Sequence, residues 1–151
     1  MLKHIIREQY QYKINQLLDI KAIIRPKEGW IRTMRKALGM SSVQLAKRLD
    51  VSRSQASQME RMEVEDRITL KQLRRVAENL GCDLFYGFKP RKAVGEMIRD
   101  RARQKARSIV EQIDVHMKLE AQQLSKEKLN TQIELEVERL VREMPRDLWE
   151  D

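Results

Sequence analysis

Met40–Arg61, MSSVQLAKRLDVSRSQASQMER, reads as two short helices joined at a fixed angle by a tight turn. Ser41 is followed three residues later by Gln44, and Ser52 by Gln55. In each case the serine can accept from a backbone N–H while the glutamine reaches back, so both are capping boxes. Met40 with Leu45, and Val51 with Ala56, are the apolar residues placed to staple each entry angle. Between the helices Leu49-Asp50-Val51 must reverse the chain. Asp tolerates the left-handed conformation such a reversal needs, which makes Asp50 the pivot.

On the second helix Ala56 and Met59 fall on an inward face, whereas Arg53, Ser54, Ser57, Gln58 and Arg61 share an outward one. Arg suits guanine, Gln adenine and Ser either base, so this face has the chemistry to read base edges. A helical corner used only for packing is the bland alternative.

Composition supports a helical chain whose basic body suits a polyanion such as DNA, with solubility alone as the bland alternative. Five Gly and three Pro in 151 residues, with helix formers dominating, point to an almost all-helical protein. Residues 1–110 carry 25 Lys and Arg against 12 Asp and Glu, and residues 111–151 carry 6 against 11, giving a basic body and an acidic tail. Cys82 is the single cysteine, which rules out an internal disulfide and any CxxC metal site and makes it a small buried hydrophobe. MLKHIIREQYQYK lacks the apolar core of a signal peptide, and no run approaches membrane-spanning length. A cytoplasmic, nucleoid-associated protein without membrane contact is expected.

Outward from the central pair, Leu2, Ile6, Tyr10, Ile14, Leu17 and Leu18 predict an amphipathic helix from Leu2 to about Ala22, within a first segment 1–25. Its stripe could dock on the body or on a second copy. Segment 26–90 opens with a helix over Glu28–Leu38, with Trp30, Met34, Ala37 and Leu38 inward and Arg32, Arg35 and Lys36 outward. Met62–Ile68 reads as a solvated acidic loop. Thr69 with Gln72 then caps a helix burying Leu70, Leu73, Ala77 and Leu80, with Lys71, Arg74 and Arg75 near its start, where a phosphate could meet cations and helix N–H groups.

Residues 82–89, CDLFYGFK, alternate Cys82, Leu84, Tyr86 and Phe88 against Asp83, Phe85, Gly87 and Lys89, which predicts one short strand. A lone strand cannot satisfy its own backbone, so pairing with the same strand of a second subunit is expected, with Cys82, Leu84, Tyr86 and Phe88 as its residues. The last segment, 91–151, is a helical dimerisation or partner-binding region. Val94, Ile98, Ala102, Ala106, Ile109, Ile113 and Met117 predict a long helix from Lys92 to about Gln123, whose basic positions Arg99, Arg101, Arg103, Lys105 and Arg107 suit either a polyanion or solvent. Ser125 caps a final helix carrying Leu129, Ile133, Val137, Leu140 and Met144, and PRDLWED is expected to be mobile.

The central stretch resembles the helix-turn-helix of Cro/repressor or xenobiotic-response-element (XRE) type: Leu45-Ala46, Val51-Ser52 and Met59-Glu60 stand at that class's signature positions. Asp50 replaces its usual Gly, and Ser42 a common phosphate-contacting Gln. More closely, Gly29-Trp30-Ile31-Arg32, Ala37-Leu38-Gly39-Met40, Cys82–Pro90 and His116–Gln122 resemble the landmarks of the mobile mystery protein A family. The resemblance implies an all-α, lambda-repressor-like helix-turn-helix domain with an N-terminal helix, one short strand and long C-terminal helices. It also implies a gene beside a Fic-domain protein in a toxin–antitoxin-like pair, hence an autoregulating antitoxin that represses transcription. No segment fits the inhibitory helix of Fic inhibitors: Ser125–Asn130 comes nearest but has Leu129 where Glu is required.

The expectation is a homodimer on an inverted-repeat operator in double-stranded DNA, with half-sites about 34 Å apart or a multiple of that. Arg53, Ser54, Ser57 and Gln58 would contact bases, and Arg32, Ser41, Ser42, Arg61, Lys71 and Arg74 the backbone. The competing reading is an antitoxin that grips a Fic toxin directly through its terminal helices. Catalysis has little support: His4 and His116 lie far apart in sequence, and no Gly-rich phosphate loop, metal-ligand spacing or nucleophile motif is present, so no cofactor is expected. His116 reads as a structural hydrogen-bonding residue.

Overall fold

A computed structural model describes residues 1–119 and 125–151. Among these residues every regular element is helical: α1 (Leu2–Asn15), α2 (Trp30–Ala37), α3 (Ser42–Leu49), α4 (Arg53–Val64), α5 (Leu70–Asn79), α6 (Val94–Leu119), α7 (Lys126–Glu143) and a short 3-10 helix, Arg146–Trp149. The chain divides into two compact units. One is Lys21–Gly87; the other joins Met1–Ile20 to Phe88–Asp151. The expected end of the long helix at Gln123 lies outside the described residues.

In the 21–87 unit the local signals act as read. Ser41, Ser52 and Thr69 each accept from the backbone N–H of a glutamine three residues on, whose side chain accepts from the cap's own N–H in return. Asp50 sits at φ 54°, ψ 48°, and the chain after it is locked by Val51 N–H donating to the Ala46 carbonyl at 3.0 Å. The core gathers Ile31, Leu45, Leu49, Val76 and Leu80, with Met34, Met59, Ile68 and Leu73 packed around it.

Three expectations fail here. Trp30 is 44% exposed and Ile31 takes the buried place, with Ala37 and Leu38 also outside. Met62–Ile68 is not all loop, because α4 continues to Val64 and buries Glu63 to 2% exposure. Leu70 is exposed, and Val76 fills the core of α5 instead. Glu63 explains the first two. Gly29 at φ 87° starts α2 without a side-chain cap, and Glu63 supplies one from across the fold. Its Oε2 accepts from Trp30 N–H at 2.7 Å and its Oε1 from Ile31 N–H at 2.9 Å.

The strand expected at 82–89 is absent. Residues 83–89 neither donate nor accept a backbone–backbone hydrogen bond among the described residues, because a single copy of the chain offers no second edge. Cys82 is half-buried, its thiol directed at the Leu80 carbonyl.

The other unit rests on α6 against α7. Arg99–Glu138 at 2.6 Å and Arg103–Glu134 at 3.6 Å advance in opposite directions along the two helices, so they run antiparallel. Between them lie Ile98, Ala102, Ala106, Val137 and Leu140, with the two alanines fully buried so that the backbones can approach. PRDLWED is ordered, not mobile: Leu148 is fully buried in this core, Arg101 donates to the Leu148 and Glu150 carbonyls at 2.6 Å, and Lys105 binds Asp147. The basic positions of α6 therefore face mostly this chain's own acidic tail. The hydrogen bond from Arg99 holds the Glu138 carboxyl below its ordinary value, and Glu138 raises Arg99 in turn. Helix α1 ends at Asn15, short of Ala22, and its Oδ1 accepts from Val94 N–H at 2.9 Å at the start of α6. No α1 residue is buried, so its apolar stripe stays uncovered in one chain.

Glu63→Ala should destabilise the 21–87 unit by about 2–4 kcal/mol, because two helix N–H groups lose a charged acceptor. Gly29→Ala should cost about 1–3 kcal/mol, since its Cβ would sit 2.7 Å from Glu63 Oε1 at positive φ. Urea titrations followed by Trp30 fluorescence in a Trp149→Phe background measure both, and unchanged midpoints would refute the cap.

Candidate nucleic-acid interface

Helix α4 has two faces of opposite character. Inward, Ala56, Glu60 and Glu63 follow helical spacing and are all buried. Glu60, 3% exposed, lies between Arg35 Nε at 2.6 Å and Arg32 Nε at 3.1 Å. Outward, Arg53, Ser54, Gln58 and Arg61 are exposed and Ser57 is half-buried. Arg53 and Arg61 have no acidic partner among the described residues. The inward carboxylates are thus neutralised from α2, and the outward cations are not.

The expected base-contacting residues Arg53, Ser54, Ser57 and Gln58 fall together on the first turns of this face, directly after the Ser52 cap. The expected backbone-contacting residues are dispersed. Ser41 caps α3, its oxygen accepting from Gln44 N–H at 3.2 Å, so its hydroxyl proton remains available. Ser42 is half-buried. Arg32 is tied to Glu60 but keeps nearly half its side chain exposed. Lys71 and Arg74 are exposed in the first half of α5 without an ion-pair partner among the described residues, and Arg61 lies on α4.

Arg75 does a different job from the one its position suggests. It donates to the Leu49 carbonyl, and Arg48 donates to the Asn79 carbonyl at 3.1 Å, so two cations hold the reversal at Asp50 against α5. Arg25 likewise closes the end of α4, donating to the Glu63 carbonyl at 2.8 Å and to Asp66 at 2.7 Å. Lys47, exposed on α3 and unpaired among the described residues, is a cation that the sequence reading passed over. Its only signal was an outward helical phase.

His4 pairs with Glu8 at 3.1 Å on exposed α1, and His116, expected to be a structural residue, is exposed on α6. Among the described residues no group of three or more His, Cys, Asp or Glu could hold a metal ion, and no helix is long and apolar enough to cross a membrane.

Capped helix, left-handed pivot and capped helix with a polar outer face define a helix-turn-helix. The family model described as "Helix-turn-helix" matches residues 31–86, from the start of α2 to Tyr86. That stretch is a helix-turn-helix domain of XRE type, a DNA-binding class. No curated protein and no solved structure matches the chain.

Asp50→Gly should raise stability by about 0.5–1 kcal/mol by relieving left-handed strain, and Asp50→Val should lower it, as thermal melts of the full chain would show. A stabilising valine would refute the pivot.

Proposed function

We propose that this chain is a sequence-specific DNA-binding transcriptional repressor that acts as a homodimer on an inverted-repeat operator, and that it is the autoregulating antitoxin of a Fic-type toxin–antitoxin pair. The observation that carries the DNA-binding part is the outer face of α4: Arg53, Ser54 and Gln58 are exposed, and Arg53 has no acidic partner among the described residues, on a helix whose inner face is fixed by buried carboxylates. Inserted in a major groove, that face reaches base edges from its first turns. Ser57 joins it from a half-buried position. Arg32, Ser41, Ser42, Arg61, Lys71 and Arg74 supply sequence-independent contacts to phosphate. The antitoxin role rests on the family resemblance.

Gel-shift titrations on the DNA upstream of the reading frame, at fixed salt, test this. Arg53→Ala should reduce discrimination between operator and random DNA by about tenfold or more. Lys71→Ala should weaken both together and lower the salt slope by about 1. Equal loss on both DNAs for Arg53→Ala would overturn its assignment to base reading.

One observation favours direct capture of a Fic toxin as a second reading: α1 leaves Leu2, Ile6 and Tyr10 exposed along one stripe. If α1 makes that contact, Ile6→Glu with Tyr10→Glu should abolish co-purification with the toxin and leave the gel shift unchanged. Undiminished capture would remove α1 from that role.

A further inference from the structure

We infer that residues 83–89 of two copies pair antiparallel about a two-fold axis at Tyr86. This inference deepens the homodimer reading and rests on it. Seven consecutive residues run without turn or bend and make no backbone hydrogen bond among the described residues. Within them Phe85, Tyr86 and Phe88 are 73%, 66% and 81% exposed. Unpaired backbone flanked by bare aromatics is half of a ladder.

The sequence names the other half. Antiparallel pairing centred on Tyr86 sets Tyr86 opposite itself, Leu84 opposite Phe88, Phe85 opposite Gly87 and Asp83 opposite Lys89. Each match is favourable. Leu84, Tyr86 and Phe88 from both copies share one face as a continuous apolar strip. On the other face each Phe85 covers the bare backbone of the partner copy's Gly87. Asp83 and Lys89 have no ion-pair partner within the described chain, and this register gives each one, twice over by symmetry. The partner with this complement of aromatic, glycine and opposite charges, in reverse order, is a second copy of the same segment.

Cross-linking tests the register in the full chain. In a Cys82→Ser background, Tyr86→Cys places two thiols with Cα atoms about 4.5–5.5 Å apart, within disulfide range, and mild oxidation should link the dimer nearly completely. Phe88→Cys in the same background puts the thiols roughly 13 Å apart and should not link. Asp83→Lys should weaken self-association by about tenfold in sedimentation velocity, and Asp83→Lys with Lys89→Asp should restore it. A wild-type monomer, linking at Phe88→Cys but not at Tyr86→Cys, or a charge swap that fails to restore association would each overturn the pairing. Gel shifts on the same variants separate the two readings. A chain that links at Tyr86→Cys but never retards DNA refutes the repressor reading alone. One that retards DNA but does not link refutes the pairing alone.

Discussion

Two buried carboxylates on the inner face of α4 hold the helix-turn-helix in place. A helix facing a core ordinarily offers apolar side chains there, and removing a carboxylate from water is costly. Glu63 recovers that cost at the start of α2, where two N–H groups and the positive helix end have no other acceptor. Glu60 recovers it between two guanidinium groups. Apolar contacts would let α4 slide or roll by a fraction of a turn. Directional bonds at both carboxylates, one turn apart, fix both its rotation and its height against α2. Because outward and inward faces belong to one rigid helix, the same bonds fix the direction in which Arg53, Ser54 and Gln58 point.

Charge is handled differently in the two units. In the terminal unit, cations of α6 are spent on acidic partners along α7 and on carbonyls of the C-terminal turn. In the 21–87 unit, Arg25, Arg32, Arg35, Arg48 and Arg75 are engaged inside the fold, yet Lys47, Arg53, Arg61, Lys71 and Arg74 are left over among the described residues. Residues 21–87 keep an excess of cations, 14 Lys and Arg against 8 Asp and Glu, and a polyanion is the partner that makes use of it.

What the sequence made legible was what neighbouring residues decide. A cap needs its partner three residues away, so Ser41, Ser52 and Thr69 announced their helices, and Ser125 its own, accepting from Lys128 N–H. Asp50 was legible because few residues accept a left-handed turn. Glu63 was not: the N–H groups it serves lie over thirty residues earlier, and by composition it looked like part of an acidic loop. The same remoteness hid the ordering of PRDLWED, whose Leu148 is gripped by α6, and the true phase of α2, which Ile31 sets and not Trp30. The candidate reading face emerged from period and cap alone, whereas Arg75 could be separated from its neighbours only by its bond to Leu49.

The segment at 82–89 alternates in sequence and yet forms no strand in one chain. A ladder belongs to two segments, and the second is not supplied by the described residues. Its end charges also select among geometries. Parallel pairing in register would set Asp83 beside Asp83 and Lys89 beside Lys89, and like charges directly opposite are destabilising. A one-residue slip of the antiparallel form would set Phe88 opposite Asp83 in one direction, or Leu84 opposite Lys89 in the other, and in both cases would separate Asp83 from Lys89. Only the register with Tyr86 on the axis satisfies charge, glycine and aromatic positions together. That register is its own mirror under the two-fold, so it closes on two copies and does not propagate. An inverted-repeat operator has the same two-fold symmetry, which is why a self-complementary segment next to a helix-turn-helix suits a protein that binds two half-sites at once.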